Sequence, residues 1–105
     1  NYKKGIKMSN NIKILDDLWQ VIEERSSSPD SDSYTKTMLE KDANTLARKM
    51  GEEAIETIVA AIGQSRSDVI NESADLLFHW LLLIKKLEIS PDEVYEELTR
   101  RRNSS

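Results

Sequence analysis

The sequence predicts an all-α fold, a bundle of four to five helices. Three observations carry this expectation. Apolar residues recur at spacings of three and four along most of the chain. Aromatic residues are only 6% and β-branched runs are scarce, which disfavours sheet. The stretches between periodic segments are short, which suits antiparallel helix neighbours. With 105 residues the chain has material for one domain and too little for two. So short a chain leaves much apolar surface near solvent, and association with a second copy is expected.

Ile14, Leu15, Leu18, Val21 and Ile22 set a first amphipathic helix over residues 13–25. The polar run 26–33, containing Pro29 and Asp30, reads as a loop. Residues 34–40 form a short helix capped by Ser33 or Thr35. Leu46, Met50, Ala54, Ile58 and Ala61 lie on one face of a long helix over 43–62. Gly51 interrupts that helix at a cost of about 1 kcal/mol relative to alanine, either a weak spot or room for a close neighbour. Gly63 closes it. Ser67 is expected to cap the next helix, 68–87, whose segment from Leu76 to Ile84 is apolar nearly all round and so belongs in a core or a subunit interface. Ser90, Pro91 and Glu93 form a start signal for a last helix reaching Arg101.

Several function classes drop out. The net charge of −4 argues against bulk attraction to nucleic acid. There is no cysteine and a single histidine, so thiolate and multi-histidine metal sites are excluded. Any metal must use oxygen ligands, as Mg²⁺, Mn²⁺ and Ca²⁺ do. No apolar run approaches the roughly 18–20 residues of a membrane span. Residues 1–7 are basic without an apolar core, so they are no secretory signal. They are read as an appended or disordered segment before Met8, with the domain over 8–105 and a cytoplasmic location.

The chemistry lies in carboxylates. Glu53 and Glu56 project from one face of the third helix, and Glu72 and Asp75 repeat the spacing on the fourth. If these helices fold back on each other, four acids converge. Unit charges ~4 Å apart repel by about 4 kcal/mol at an effective dielectric of 20, so the acids either point apart or share a divalent ion. The competing reading for Glu52, Glu53 and Glu56 is a solvated face with weak pairs such as Lys49 with Glu53. Asp75 weighs against it, because a carboxylate inside Ala74-Asp75-Leu76-Leu77-Phe78 is costly unless paired or metal-bound. His79, one turn on, reads as a core histidine hydrogen-bonded to Asp75, with metal ligation or general-base work as the alternatives.

Gly51-Glu52-Glu53-Ala54-Ile55-Glu56 followed by Glu72-Ser73-Ala74-Asp75-Leu76-Leu77 resembles the paired ExxE and ExxD signature of MazG-type all-α nucleotide pyrophosphatases. Ser33-Tyr34-Thr35, Lys49-Met50-Gly51-Glu52-Glu53 and Ala74-Asp75-Leu76-Leu77-Phe78-His79 are similar, in the same order, to the phosphoribosyl-ATP pyrophosphatase family. The chain departs from that family at Phe78, usually tyrosine, and at Asp42, commonly glycine; both bear on local packing.

The resemblance implies a homodimeric all-α pyrophosphatase bundle and Mg²⁺-dependent hydrolysis of phosphoribosyl-ATP to phosphoribosyl-AMP and pyrophosphate in histidine biosynthesis. Mn²⁺ is a possible substitute metal. It assigns the metal to Glu53, Glu56, Glu72 and Asp75, with Glu52 a further candidate. Glu52 or Glu53 would orient or deprotonate the attacking water. Lys49, Arg25 and the Ser33, Tyr34 and Thr35 hydroxyls would bind the nucleotide. Arg100, Arg101 and Arg102 read as a helix-end charge cluster. No nucleic acid or membrane partner is expected. Two rival readings are a house-cleaning (deoxy)nucleoside triphosphate pyrophosphatase and a non-catalytic helical interaction module.

Overall fold

A computed structural model describes residues 10–29 and 33–104, so the expectation for residues 1–7 and the loop position of Asp30 lie outside the described residues. After a 3₁₀ turn, Asn10–Lys13, come α1 (Ile14–Ser27), α2 (Tyr34–Leu39), α3 (Ala43–Ile62), α4 (Arg66–Lys86) and α5 (Pro91–Ser104). The described residues include no strand, as the all-α expectation requires.

Local chemistry explains the boundaries, and some differ from expectation. Helix α1 runs through Ser27, beyond Arg25, because the Ser26 and Ser27 hydroxyls donate to the Glu23 carbonyl at 2.9 and 3.1 Å and extend its last turn. Ser33 caps α2, accepting from the Lys36 amide at 3.2 Å. Asp42, a departure from the family pattern, is the N-cap of α3 and accepts from the Thr45 amide at 2.8 Å. Those Thr45 hydrogen bonds hold its carboxyl below the usual range.

Gly63 closes α3 in right-handed backbone; the left-handed residue is Gln64, with φ 59°. Because Gln64 turns the chain and Ser65 is extended, helical backbone restarts at Arg66. Ser65, and not Ser67, therefore caps α4, accepting from the Asp68 amide at 3.4 Å. Ser67 lies inside the first turn. At the start of α5 the Glu93 carboxylate accepts from the Ser90 amide at 2.9 Å, the back half of a capping box. Helix α5 continues to Ser104, three residues past Arg101. Glu97 accepts from both Arg100 and Arg101, which hold its carboxyl down at about 2.

The core sits at one end of the molecule. Ile22 of α1, Met38 of α2, Leu46 of α3 and Leu81, Leu82 and Ile84 of α4 form it, with Leu18, Trp19, Phe78 and Trp80 packed around. Lysines tie the helix ends together: Lys85 lies 5.6 Å over the Trp19 ring and 3.8 Å from Glu23, and Lys86 donates to the Leu39 carbonyl at 3.0 Å. The most extensive contact is the antiparallel pairing of α3 with α4. Its far half projects beyond the core and leaves Ile58, Val59, Ile62 and Ile70 exposed. Helix α4 is thus apolar all round without being buried all round; Leu77 is exposed while Leu81 and Leu82 are fully covered.

The cap assignment is testable. Ser65→Ala should lower stability by about 0.5–1 kcal/mol, a melting shift of roughly 2–8 °C for a domain of this size, and Ser67→Ala should be near neutral. Thermal melts followed by circular dichroism check this, and equal shifts for both variants would refute it.

Candidate metal centre

Glu53 and Glu56 come from α3 and Glu72 from α4, and each offers a carboxylate oxygen within 4.8 Å of the others. The convergence follows from the short reversal at Gly63–Ser65, which brings these helical positions opposite one another. Glu53 is only 8% exposed. Among the described residues its Oε2, and Oε1 of Glu72, are buried without a hydrogen-bond partner. Native folds rarely leave a buried polar atom unpaired, so each orphan marks a place where a further partner, a cation among them, fits. Burial raises the Glu72 pKa, and Glu56, Asp75 and Glu53 raise it further by repulsion.

Hard, oxygen-only donors with two orphaned carboxylate oxygens fit a Mg²⁺-like cation and suit no soft metal. Glu53, Glu56 and Glu72 could hold it. Asp75 stands outside the tightest trio but close enough to act electrostatically on Glu72. It is half-buried, less enclosed than the apolar run around it suggested.

The remaining candidates divide. Glu52 is exposed and pairs with Lys49 at 3.6 Å. The competing reading's pair of Lys49 with Glu53 is thus not the one formed, and Glu53 is buried. Ser33 Oγ caps α2, Thr35 is buried, and the Tyr34 hydroxyl meets His79 Nε2 at 3.0 Å. Arg25 is exposed in the last turn of α1. His79 is buried as expected, but its Nδ1 bonds the backbone carbonyl of Asp75 at 2.9 Å and not the carboxylate. Sequence reasoning missed Asp68, which lines a cavity of about 290 Å³ with Glu56, Val59, Ala60 and Glu72. Its position four residues before Glu72 was the available signal.

Fold and site together define an all-α protein with converging carboxylates suited to a divalent cation. Residues 15–102 match the family model for phosphoribosyl-ATP pyrophosphohydrolase. The chain is 43% identical over 91 residues to a phosphoribosyl-ATP pyrophosphatase of Geotalea daltonii, covering 87% of this chain and 86% of that one. It is 44% identical to that of Parvibaculum lavamentivorans, covering 87% and 84%. It is 45% identical over 94 residues to that of Sulfurisphaera tokodaii, covering 90% and 98%. The chain belongs to the phosphoribosyl-ATP pyrophosphohydrolase family.

The raised Glu72 pKa predicts a pH effect on the metal-free protein. The folded state binds this proton more tightly than the unfolded state. Its stabilisation is therefore present below the ordinary value of 4.5 and lost as pH rises through the folded value. Glu72→Gln should accordingly melt higher than wild type at pH 7 without metal, and the gap should close near pH 4. Chelator-treated melts across that range measure it; a variant that gains nothing at pH 7 contradicts the repulsion.

Proposed function

We propose that the protein hydrolyses phosphoribosyl-ATP to phosphoribosyl-AMP and pyrophosphate, with Mg²⁺ at the carboxylate cluster, in histidine biosynthesis in the cytoplasm. The observation that carries this reading is the trio of Glu53, Glu56 and Glu72, two of whose oxygens are buried and unpartnered. Its fit with the family's substrate is chemical, since a triphosphate needs its charge met where the leaving group departs. A divalent cation bound there supplies charge neutralisation and orientation of the phosphates.

The chain's own residues would divide the remaining work. Glu53, Glu56, Glu72 and Asp75 serve as the ligand set, rigid because each lies within a long helix. Glu52, one residue from that set and open to solvent, or Glu53 would orient or deprotonate the attacking water. Lys49 beside it offers a cation to a phosphate oxygen, with Arg25 as a second. Ser33, Tyr34 and Thr35 contribute the nucleotide-binding edge. Phosphoryl transfer of this kind depends mainly on positioning and charge stabilisation, which such an arrangement provides.

We also propose a homodimer built on the α3–α4 hairpin. Gly51, Ile55, Ile58 and Ile62 recur at spacings of four, three and four along the face of α3 opposite Glu53, and the three isoleucines are exposed, Ile62 by 76%. A Cβ at Gly51 would meet nothing within 4 Å in its own chain, so the helix carries a glycine that its own packing does not require. Ile70 and Leu77 extend the apolar face onto α4. A second copy laid on this face would cover it.

Two experiments test these readings. Saturating Mg²⁺ at about 100 times its dissociation constant should stabilise wild type by about 2.7 kcal/mol, while Glu56→Ala and Asp75→Ala should lose phosphoribosyl-ATP turnover with helicity intact. Near-normal turnover by either variant at limiting Mg²⁺ removes the ligand assignment. Sedimentation at micromolar concentration should show a dimer that Ile58→Asp and Ile62→Asp convert to monomer. A monomeric wild type rejects the association.

A further inference from the structure

Tyr34, the first residue of α2, is held in an unusual way. The residue is 51% exposed, yet its hydroxyl turns inward to His79 Nε2 at 3.0 Å. His79 is itself 7% exposed and lies one turn beyond Asp75 on α4. Its Nδ1 stands 2.9 Å from the Asp75 carbonyl, which can only accept, so the hydrogen of the neutral ring sits on Nδ1. Nε2 is then the bare nitrogen, and the Tyr34 O–H donates to it. The Phe78 ring supports the tyrosine from one side, with centroids 6.3 Å apart and planes 29° from parallel, and the His79 ring meets it edge-on at 6.0 Å. The phenol is thereby fixed at its tip and along one face, and what it offers to solvent is a flat aromatic surface.

That surface lies against the side of α4 that carries the acids. Glu72, Asp75 and His79 follow one another at spacings of three and four, so they share one stripe of α4. The rise from Asp75 to His79 is about 6 Å. A triphosphate held at the acids with its sugar running along α4 toward His79 would bring its purine to the Tyr34 ring. Half of the residue stays open to solvent although its hydroxyl is tied to a buried histidine, an arrangement that simple core packing does not require.

We propose that the open face of Tyr34 is the platform on which the purine of the substrate stacks, and that His79 is the positioning residue that fixes the angle of that platform. The inference rests on the phosphoribosyl-ATP reading of the carboxylate site, and it names what recognises the base. The hydroxyl of Tyr34 then serves His79 and not the phosphates.

Steady-state kinetics and calorimetry on the full chain test it with Tyr34→Leu, Tyr34→Trp and His79→Gln. Leucine retains contact with Phe78 but has no π-face, and circular dichroism verifies that each variant is folded. Tyr34→Leu should raise KM for phosphoribosyl-ATP by about 10- to 100-fold, the range of base–aromatic stacking, with kcat within about two-fold of wild type. Tyr34→Trp should restore KM, and His79→Gln should raise KM by roughly three- to ten-fold, the loss expected when one hydrogen bond no longer holds the ring. An unchanged KM in Tyr34→Leu, or a loss confined to kcat, overturns the proposal. Calorimetric titration with AMP requires no turnover. Wild type and Tyr34→Trp should bind AMP more tightly than Tyr34→Leu by the same factor, and equal affinities reject the platform. Failure of wild type to hydrolyse phosphoribosyl-ATP while that difference persists would instead refute the assigned substrate and leave the base platform standing.

Discussion

Repulsion among the acids of α3 and α4 is the constraint to which the rest of the structure answers. Oxygens of Glu53, Glu56 and Glu72 lie within 4.8 Å of one another, and Glu53 is buried. At an effective dielectric of 20, each ionised pair at such range costs about 3–4 kcal/mol. Fully burying one leucine contributes about 1.5–3 kcal/mol. Each such pair left unneutralised therefore offsets the gain from one or two core leucines. The two helices remain side by side because the core formed by Leu46, Leu81 and Leu82 anchors them at the other end, and a divalent cation would convert the opposing charges into a bond between them.

Helices α1 and α2 make that anchorage possible. Ile22 and Met38 complete the core, while Lys85 and Lys86 bind α4 to α1 and α2 through Glu23, Trp19 and the Leu39 carbonyl. These lysines also place positive charge at the C-terminal ends of helices, where the dipole favours it. The same bracing positions Tyr34 against Phe78 and His79. Fold and site are thus joined through α4, whose C-terminal half lies in the core and whose N-terminal half carries Glu72 and Asp75.

Much of this was legible in the letters. Spacings of three and four set the helices, and the span 43–62 for α3 agrees with Ala43–Ile62 in the structure. The paired acids on two successive helices were visible because helical periodicity fixes which residues share a face. What periodicity cannot supply is the chain reversal between them. Ser65 and Ser67 are both competent caps, and the choice fell to Gln64, a non-glycine residue in left-handed backbone that composition alone does not announce. The partners of individual side chains were hidden for a related reason. Lys49 lies three residues from Glu52 and four from Glu53, both permitted by a helix, and only the inward turn of Glu53 decides for Glu52. The bond between Tyr34 and His79 spans 45 positions and leaves no local mark at all.

The two faces of the α3–α4 hairpin bear on each other. Glu53 turns toward α4, whereas Ile55, Ile58 and Ile62 turn away from it into solvent, all within the same few turns of α3. The projecting half of the hairpin contains the acids that push the helices apart and lacks the large apolar side chains that would hold them together. Under the proposed association, a second copy covering the isoleucines would stiffen this half from outside while a cation drew it together from within. Each event lowers the cost of the other, because a hairpin already held at the spacing one ligand needs has less freedom to lose when the next arrives. Metal affinity and self-association are in that case linked by the geometry of two helices, and neither is set by the carboxylates or the isoleucines alone.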